Sequence, residues 1–303
     1  MMRAGDYIIK QGKLLLENKQ HAILCAIALS IIPFASWLSV ALVVLITLRK
    51  GPGSGLEVLL PALVIHSVPL MILVPVESAI INTLIAYIPC FIAALSLRYS
   101  KNWQIVFGVF LFQAFMGFLL IQLMVPDFIA TQFNQFKSLL GQFQEYKQLV
   151  GSGTEGISSF ILAQLFFGVQ MLSVVVSATI SLMFARSIQA KLFKPGGFKK
   201  EILEFRGGRI SFLVLTGILL GSYYEIPCVI NLLPLILFCF LMSGFNLAYF
   251  VLARKKQTRL IILLFLIIFL KPLIILFAFI VFGSLDSLFN FRLYLPVRVT
   301  EST

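Results

Sequence analysis

The chain carries little charge for its length. Only 12% of its 303 residues are Asp, Glu, Lys or Arg, and 60% are hydrophobic, whereas a soluble domain has a charged fraction of about 25%. This composition excludes an ordinary water-soluble domain and predicts a membrane protein. Because lipid cannot satisfy backbone polar groups, the long apolar runs must be helices, and they lack the polar alternation of barrel strands.

Residue types that carry chemistry are also scarce. The chain has two histidines, too far apart to form a ligand pair by spacing, and four cysteines without a CxxC motif. The cysteines lie inside apolar runs, as small buried hydrophobic residues do: Cys25, Cys90, Cys228 and Cys239. No Ser–His–Asp, HExxH, Walker or paired-carboxylate pattern is present. We therefore predict a protein that is not an enzyme, holds no metal and needs no cofactor.

The charges that are present are mostly basic, with 24 Lys and Arg against 12 Asp and Glu. They cluster in short gaps between apolar runs, at 49–50, 98–101, 186–209 and 254–259. This is the positive-inside pattern of membrane proteins, and such clusters also attract anionic lipid. We therefore predict contacts with the lipid bilayer and not with nucleic acid, and we predict that 186–209 is a basic cytoplasmic loop.

The order of apolar runs predicts an all-α polytopic bundle, formed as one integral membrane domain over 1–303, with eight transmembrane helices. The run 22–48, interrupted by Pro33, is either one kinked span or two short helices that turn back, which makes nine. It is too long for the core of a signal peptide, so we expect no cleaved leader. In contrast, 128–150 has apolar residues at three- and four-residue spacing, which predicts an external amphipathic helix.

A lysine interrupts the last apolar run, 260–283, at Lys271-Pro272. The arms on either side have roughly 11 residues each, and a helix needs roughly 20 to cross a bilayer. Lys271 is therefore expected near mid-membrane, where a charge is costly and points to function. We predict that it faces a cavity and binds an anionic substrate or a carboxylate. The alternative is a lysine that extends to the interface or bonds carbonyls freed by the proline.

Two further polar residues are candidates for the same substrate site. His66 lies in mid-span, where it could relay a proton or bind a ligand, or instead hydrogen-bond to a neighbouring helix. Glu77 lies at an outer turn and reaches Lys271 only if that turn dips inward; the alternative is a carboxylate in interfacial water. The sequence leaves both alternatives open.

The segment after the last run carries a spaced motif, G-x-x-D-x-x-x-x-F-R, formed by Gly283, Asp286, Phe291 and Arg292. Asp286 and Arg292 can form a local ion pair just outside the span, or a turn that anchors the C-terminus. The motif resembles that of the YybS-like family of bacterial membrane proteins, although Asn290 stands where that family pattern has an acidic residue. The resemblance implies a multi-pass protein of the bacterial inner membrane and brings no established substrate.

The resemblance also implies a distant similarity to the S-components of energy-coupling-factor transporters. S-components dock their membrane partner through an Ala-x-x-x-Ala face, and Ala22 and Ala26 have this spacing, which lets helices approach closely. We therefore expect small-molecule binding and transport beneath the 128–150 helix, with or without an ATPase module. The alternative is a non-transporting scaffold that holds cell-envelope or division partners through 186–209 and 128–150.

Overall fold

The computed structural model describes residues 4–32, 35–142, 158–254 and 270–294, and within these ranges every regular element is a helix. The all-α prediction is confirmed. In chain order the helices are α1 Ala4–Glu17, α2 Lys19–Ile31, α3 Ser36–Lys50, α4 Pro52–Leu73, α5 Val76–Ser100, α6 Trp103–Met124, α7 Phe128–Leu140, α8 Ser159–Phe193, α9 Gly197–Glu204, α10 Gly208–Tyr223, α11 Pro227–Arg254, α12 Pro272–Phe289 and α13 Phe291–Tyr294.

Six of these helices are long and apolar enough to cross a bilayer: α4, α5, α6, α8, α11 and α12. The end of α1 and α2 would together make a seventh span, but they are bent by 116°. Helix α10 is apolar but has only 16 residues, fewer than the roughly 20 that a span needs. The described residues therefore have the helices of a multi-pass membrane protein, with six or seven candidate spans where the sequence predicted eight or nine.

The run 22–48 consists of two short helices, which is the second of the two alternatives. Ser39 Oγ donates a hydrogen bond to the Ala26 carbonyl oxygen at 2.8 Å, and the two residues are 13 apart in sequence. Such a bond requires α3 to fold back beside α2. With 13 and 15 residues, each helix rises only about 20 Å, less than the ~30 Å hydrocarbon core. Pro33 itself lies outside the described residues.

The chain divides into two compact units, and the single integral membrane domain over 1–303 stays a prediction. Unit 1 comprises residues 1–113 and 171–201, and unit 2 comprises 114–170 and 202–303. Helices α6, α8 and α9 each have residues in both units.

Unit 1 is built around α3, in which residues 39–48 are all buried. This helix packs against α2, α4 and α5. Arg98, near the end of α5, donates its Nη1 to the carbonyl oxygens of Thr47 and Leu48 at 3.1 and 2.8 Å. The Thr47 oxygen also accepts a hydrogen bond from the Gly51 N–H at 3.1 Å, and a cation at this helix C-terminus complements the helix dipole.

Unit 2 has its tightest packing between α11 and α12. A Cβ placed on Gly283 would overlap the Phe240 carbonyl oxygen, and one on Gly244 would overlap the carbonyl oxygen of Phe279. The two backbones are therefore in direct contact at these glycines. Small residues allow this close approach between membrane helices, where packing replaces the hydrophobic effect as the driving force.

The predicted external helix is present in part. Helix α7 covers Phe128–Leu140, its Ile129 side chain is buried, and the Phe136 ring stacks on Phe166 with centroids 4.4 Å apart. Residues 143–150 of the predicted segment lie outside the described residues. The placement of this helix on the external surface stays a prediction.

The predicted basic loop 186–209 is mostly helical, which corrects the sequence-based interpretation. Its first part is the end of α8, and Gly197–Glu204 form α9. Lys, Arg, Gln and Glu are good helix formers, so a charged stretch need not be a loop. Arg186 also donates its Nε to Glu201 Oε2 at 3.0 Å, which ties α9 to α8.

Candidate functional site: an apolar cavity and a buried ion pair

Lys271 lies at a helix end. It is the N-cap of α12 and Pro272 takes the first helical position, where the missing N–H of proline has no cost. The helix continues through Gly283 to Phe289, so its 18 residues qualify as a candidate span without the preceding arm. The prediction that the apolar arm after Lys271 is too short to span is therefore wrong. The Lys271 side chain is exposed; residues 260–269 lie outside the described residues, and a role in substrate binding stays a prediction.

The other two substrate-site candidates, His66 and Glu77, belong to unit 1, whereas Lys271 belongs to unit 2. The His66 Nδ1 lies 3.0 Å from the Ser30 carbonyl oxygen. This is the interhelical hydrogen bond that the sequence left as the alternative. Glu77 is exposed in the first turn of α5. Their joint role with Lys271 stays a prediction.

Ala22 and Ala26 are packed inside the chain itself. Both are 0% exposed, and α2, on which they lie, packs against α3 and α4. The small side chains allow close helix packing, as the sequence predicted. The helices packed against them are α3 and α4 of the same unit. Both alanines are thus in contact with helices of their own unit, and their role in docking a partner stays a prediction.

The C-terminal motif forms a buried ion pair. Asp286 is 0% exposed within α12 and Arg292 is 9% exposed in α13, and Arg292 Nε donates to Asp286 Oδ2 at 3.1 Å. Asn290 connects the two helices in the left-handed conformation, with φ of 51°. Asn adopts this conformation more readily than other side chains except glycine. Asn290 therefore suits the turn that brings Arg292 back to Asp286.

Arg292 also ties α13 to the connection between α9 and α10. Its Nη2 donates to the Phe205 carbonyl oxygen at 2.7 Å, and its Nη1 donates to that of Leu203. Burial lowers the pKa of the Arg292 guanidinium, and the Asp286 carboxylate opposes that change. We call this arrangement of Asp286, Arg292 and the two carbonyl groups the clasp. The clasp therefore links α12, α13 and the connection between α9 and α10 within unit 2.

Unit 1 contains an apolar cavity of about 120 Å³ between α1, α2, α3 and α8. Its lining is entirely apolar: Leu15, Leu29, Leu38, Ala41, Leu42, Leu45, Phe184 and Ile188. A dry apolar cavity of ~150 Å³ is large enough to bind benzene. At about 120 Å³ the present cavity is somewhat smaller, a size suited to a small apolar group.

Two side-chain contacts join α3 and α8, one near each end of the cavity. At one end the Trp37 and Phe184 rings meet edge to face with centroids 5.6 Å apart. At the other end the Arg49 Cζ lies 3.8 Å from the centroid of the Phe193 ring. Helices α3 and α8 therefore run parallel along the cavity. The distance from Trp37 to Arg49 along α3 is ~18 Å at ~1.5 Å per residue.

The sequence did not single out this site. One face of α3 carries residues at three- and four-residue spacing, and the last of them is a cation: Leu38, Ala41, Leu45 and Arg49. Inside a continuous apolar run this periodicity does not differ from that of an ordinary packing face. Only the arrangement of four helices distinguishes the two.

Comparisons with known proteins return no relative. No family model matches the chain. No curated protein matches it, and no solved structure does. Within the described ranges, no group of three or more His, Cys, Asp or Glu side chains could hold a metal ion.

Proposed function

We propose that the protein is a multi-pass protein of the bacterial inner membrane that binds a small molecule through an apolar group, in the manner of an S-component. The observation that supports this function is the cavity of unit 1, with its wholly apolar lining. Ligand sites are concave and mostly apolar. The lining contains no nucleophile, acid or base, so the proposed role is binding and transport without a chemical step.

The ligand in this proposal differs from the anionic substrate that Lys271 suggested. Binding of a group among Leu, Ala, Phe and Ile side chains is favourable, by about 25 cal/mol per Å² of apolar surface removed from water. A charged group in the same place would be costly. Movement of the ligand across the membrane, with or without an ATPase partner, completes the proposed function.

A thermal-shift screen of the purified protein tests this function. We expect an amphipathic vitamin or another molecule with a compact apolar group to raise Tm by several degrees, because a ligand at a hundred times its Kd stabilises the folded state by about 2.7 kcal/mol. The matched control is Ala41→Leu, which fills the cavity from a side chain that is 3% exposed. The proposal fails if no compound raises Tm, or if the variant responds as strongly as the wild type.

A non-transporting scaffold is the second candidate, and the basic end of unit 1 favours it. Three of the basic clusters meet there: Arg49 contacts Phe193, Arg98 bonds the end of α3, and Trp103 meets Phe198 with ring centroids 6.5 Å apart. Such a surface could hold an acidic partner. Pull-down from mild detergent separates the two functions: a cell-wall or division partner favours the scaffold, and an ATPase module favours transport.

A further inference from the structure

An arginine just beyond the apolar cavity narrows the class of ligand. We propose that the cavity of unit 1 holds part of an acyl chain of an anionic phospholipid, whose headgroup binds at Arg49. This inference rests on the proposed apolar binding function and adds the identity of the ligand. Three observations support it: the position of Arg49, its available hydrogen-bond donors, and the charge around it.

Arg49 lies directly beyond the cavity wall. It follows Leu45 by four residues on α3, and residues four apart share one face of a helix. On α8, Phe193 follows Ile188 of the lining by five residues, and its ring faces the Arg49 guanidinium at 3.8 Å. A molecule with its apolar part in the cavity would therefore place its polar part against Arg49.

The guanidinium in this position is suited to a phosphate. Its contact with the Phe193 ring is a cation–π interaction, which holds the group in place through its face. Such a contact uses none of the five N–H donors of arginine. A planar guanidinium donates two parallel hydrogen bonds to phosphate. Arg49 is also exposed, so a headgroup can reach it.

The surrounding charge favours an anionic lipid over a zwitterionic one. Lys50 adjoins Arg49, Lys191 follows Ile188 by three residues, and both lysines are exposed. Two of the acidic side chains of unit 1 already have cationic partners: Glu201 pairs with Arg186, and Glu57 with Lys19. Each cation near a membrane surface adds attraction to anionic lipid.

The dimensions fit a phospholipid in its own leaflet. On α3 the cavity lining runs from Leu38 to Leu45, and the longer segment from Trp37 to Arg49 rises ~18 Å, close to half of the ~30 Å hydrocarbon core. Basic clusters lie at the cytoplasmic interface by the positive-inside rule. A headgroup at Arg49 would thus lie at interfacial depth, with its chain directed along α3 towards the membrane centre.

Trp37 provides a fluorescent reporter for this site, since its ring contacts Phe184 of the cavity lining. The chain has two tryptophans, so Trp103→Phe leaves Trp37 alone. In this variant, reconstituted in phosphatidylcholine nanodiscs, brominated phosphatidylglycerol is compared with brominated phosphatidylcholine as a quencher. We expect half-maximal quenching at an about five-fold lower mole fraction of the anionic lipid, the factor expected for one arginine near the surface.

Two further variants complete the experiment. Arg49→Gln should abolish the preference for the anionic lipid, and Lys101→Gln, which removes a charge from another exposed basic residue, should keep it. Equal quenching by both lipids, weakened by Ala41→Leu, would overturn the headgroup inference and leave the apolar binding function standing. Quenching that Ala41→Leu does not change would overturn both. If Ala41→Leu does not fold, the comparison of Arg49→Gln with Lys101→Gln still decides the inference.

Discussion

Gly283→Ala is expected to destabilise unit 2 by about 3 kcal/mol or more, at the upper end of the overpacking range. The added Cβ would overlap the Phe240 carbonyl oxygen and lie 2.6 Å from the Gly244 backbone nitrogen. Both neighbours are backbone atoms, so neither can move aside as a flexible side chain would. The whole of α12 would have to shift away from α11. Thermal unfolding of the purified protein in detergent measures the effect.

Gly217→Ala is the matched control for this substitution. It lies in α10 of the same unit, and a Cβ there has nothing within 4 Å. Alanine is favoured over glycine in a helix by about 1 kcal/mol, so this variant should unfold at the wild-type temperature or above. The description of the α11–α12 contact is wrong if Gly283→Ala is as stable as Gly217→Ala.

Asp286→Ala is expected to cost about 3–5 kcal/mol, the range for removing one partner of a buried ion pair. Arg292 is 9% exposed and would lose its counter-charge while staying surrounded by protein. Loss of the clasp should also release α13 from the carbonyl groups of Leu203 and Phe205. Chemical or thermal unfolding measures the cost, and limited proteolysis near Arg292 reports the release.

The exposed pair of Lys19 and Glu57 serves as the control for the clasp. Its side chains are 55% and 50% exposed with N and O atoms 2.7 Å apart, and such surface pairs contribute about 0–1 kcal/mol. Glu57→Ala should therefore leave stability nearly unchanged. If Asp286→Ala and Glu57→Ala lower the free energy of unfolding equally, burial does not strengthen the contribution of the clasp to stability.

The helical fold could be predicted because lipid leaves the backbone few options. Long apolar runs became the helices α4, α5, α6, α8, α11 and α12 for that reason. The nearness of Asp286 to Arg292 was also predictable, since they are six residues apart. The carbonyl groups of Leu203 and Phe205 that complete the clasp were not, because every residue has a carbonyl group and no sequence pattern marks those that a distant side chain will reach.

Hydropathy alone does not predict the helix boundaries within 22–48, the helical content of 186–209 or the cavity. The run 22–48 has the same apolar content as one span or as two helices, and the Ser39–Ala26 hydrogen bond distinguishes them. The charged stretch at 186–209 could be a loop or a helix, since charge alone decides neither. The cavity arises where side chains from four helices fail to fill the space between them, a property of packing that no single segment carries.

Native mass spectrometry of the protein released from its membrane in mild detergent measures directly whether the cavity holds a ligand. The proposed function predicts that the wild-type chain retains one small apolar or lipid-like molecule, and that Ala41→Leu loses it because the leucine side chain takes its place. Wild-type and Ala41→Leu chains that carry the same bound molecules, or none, would contradict the proposal that the cavity binds a ligand.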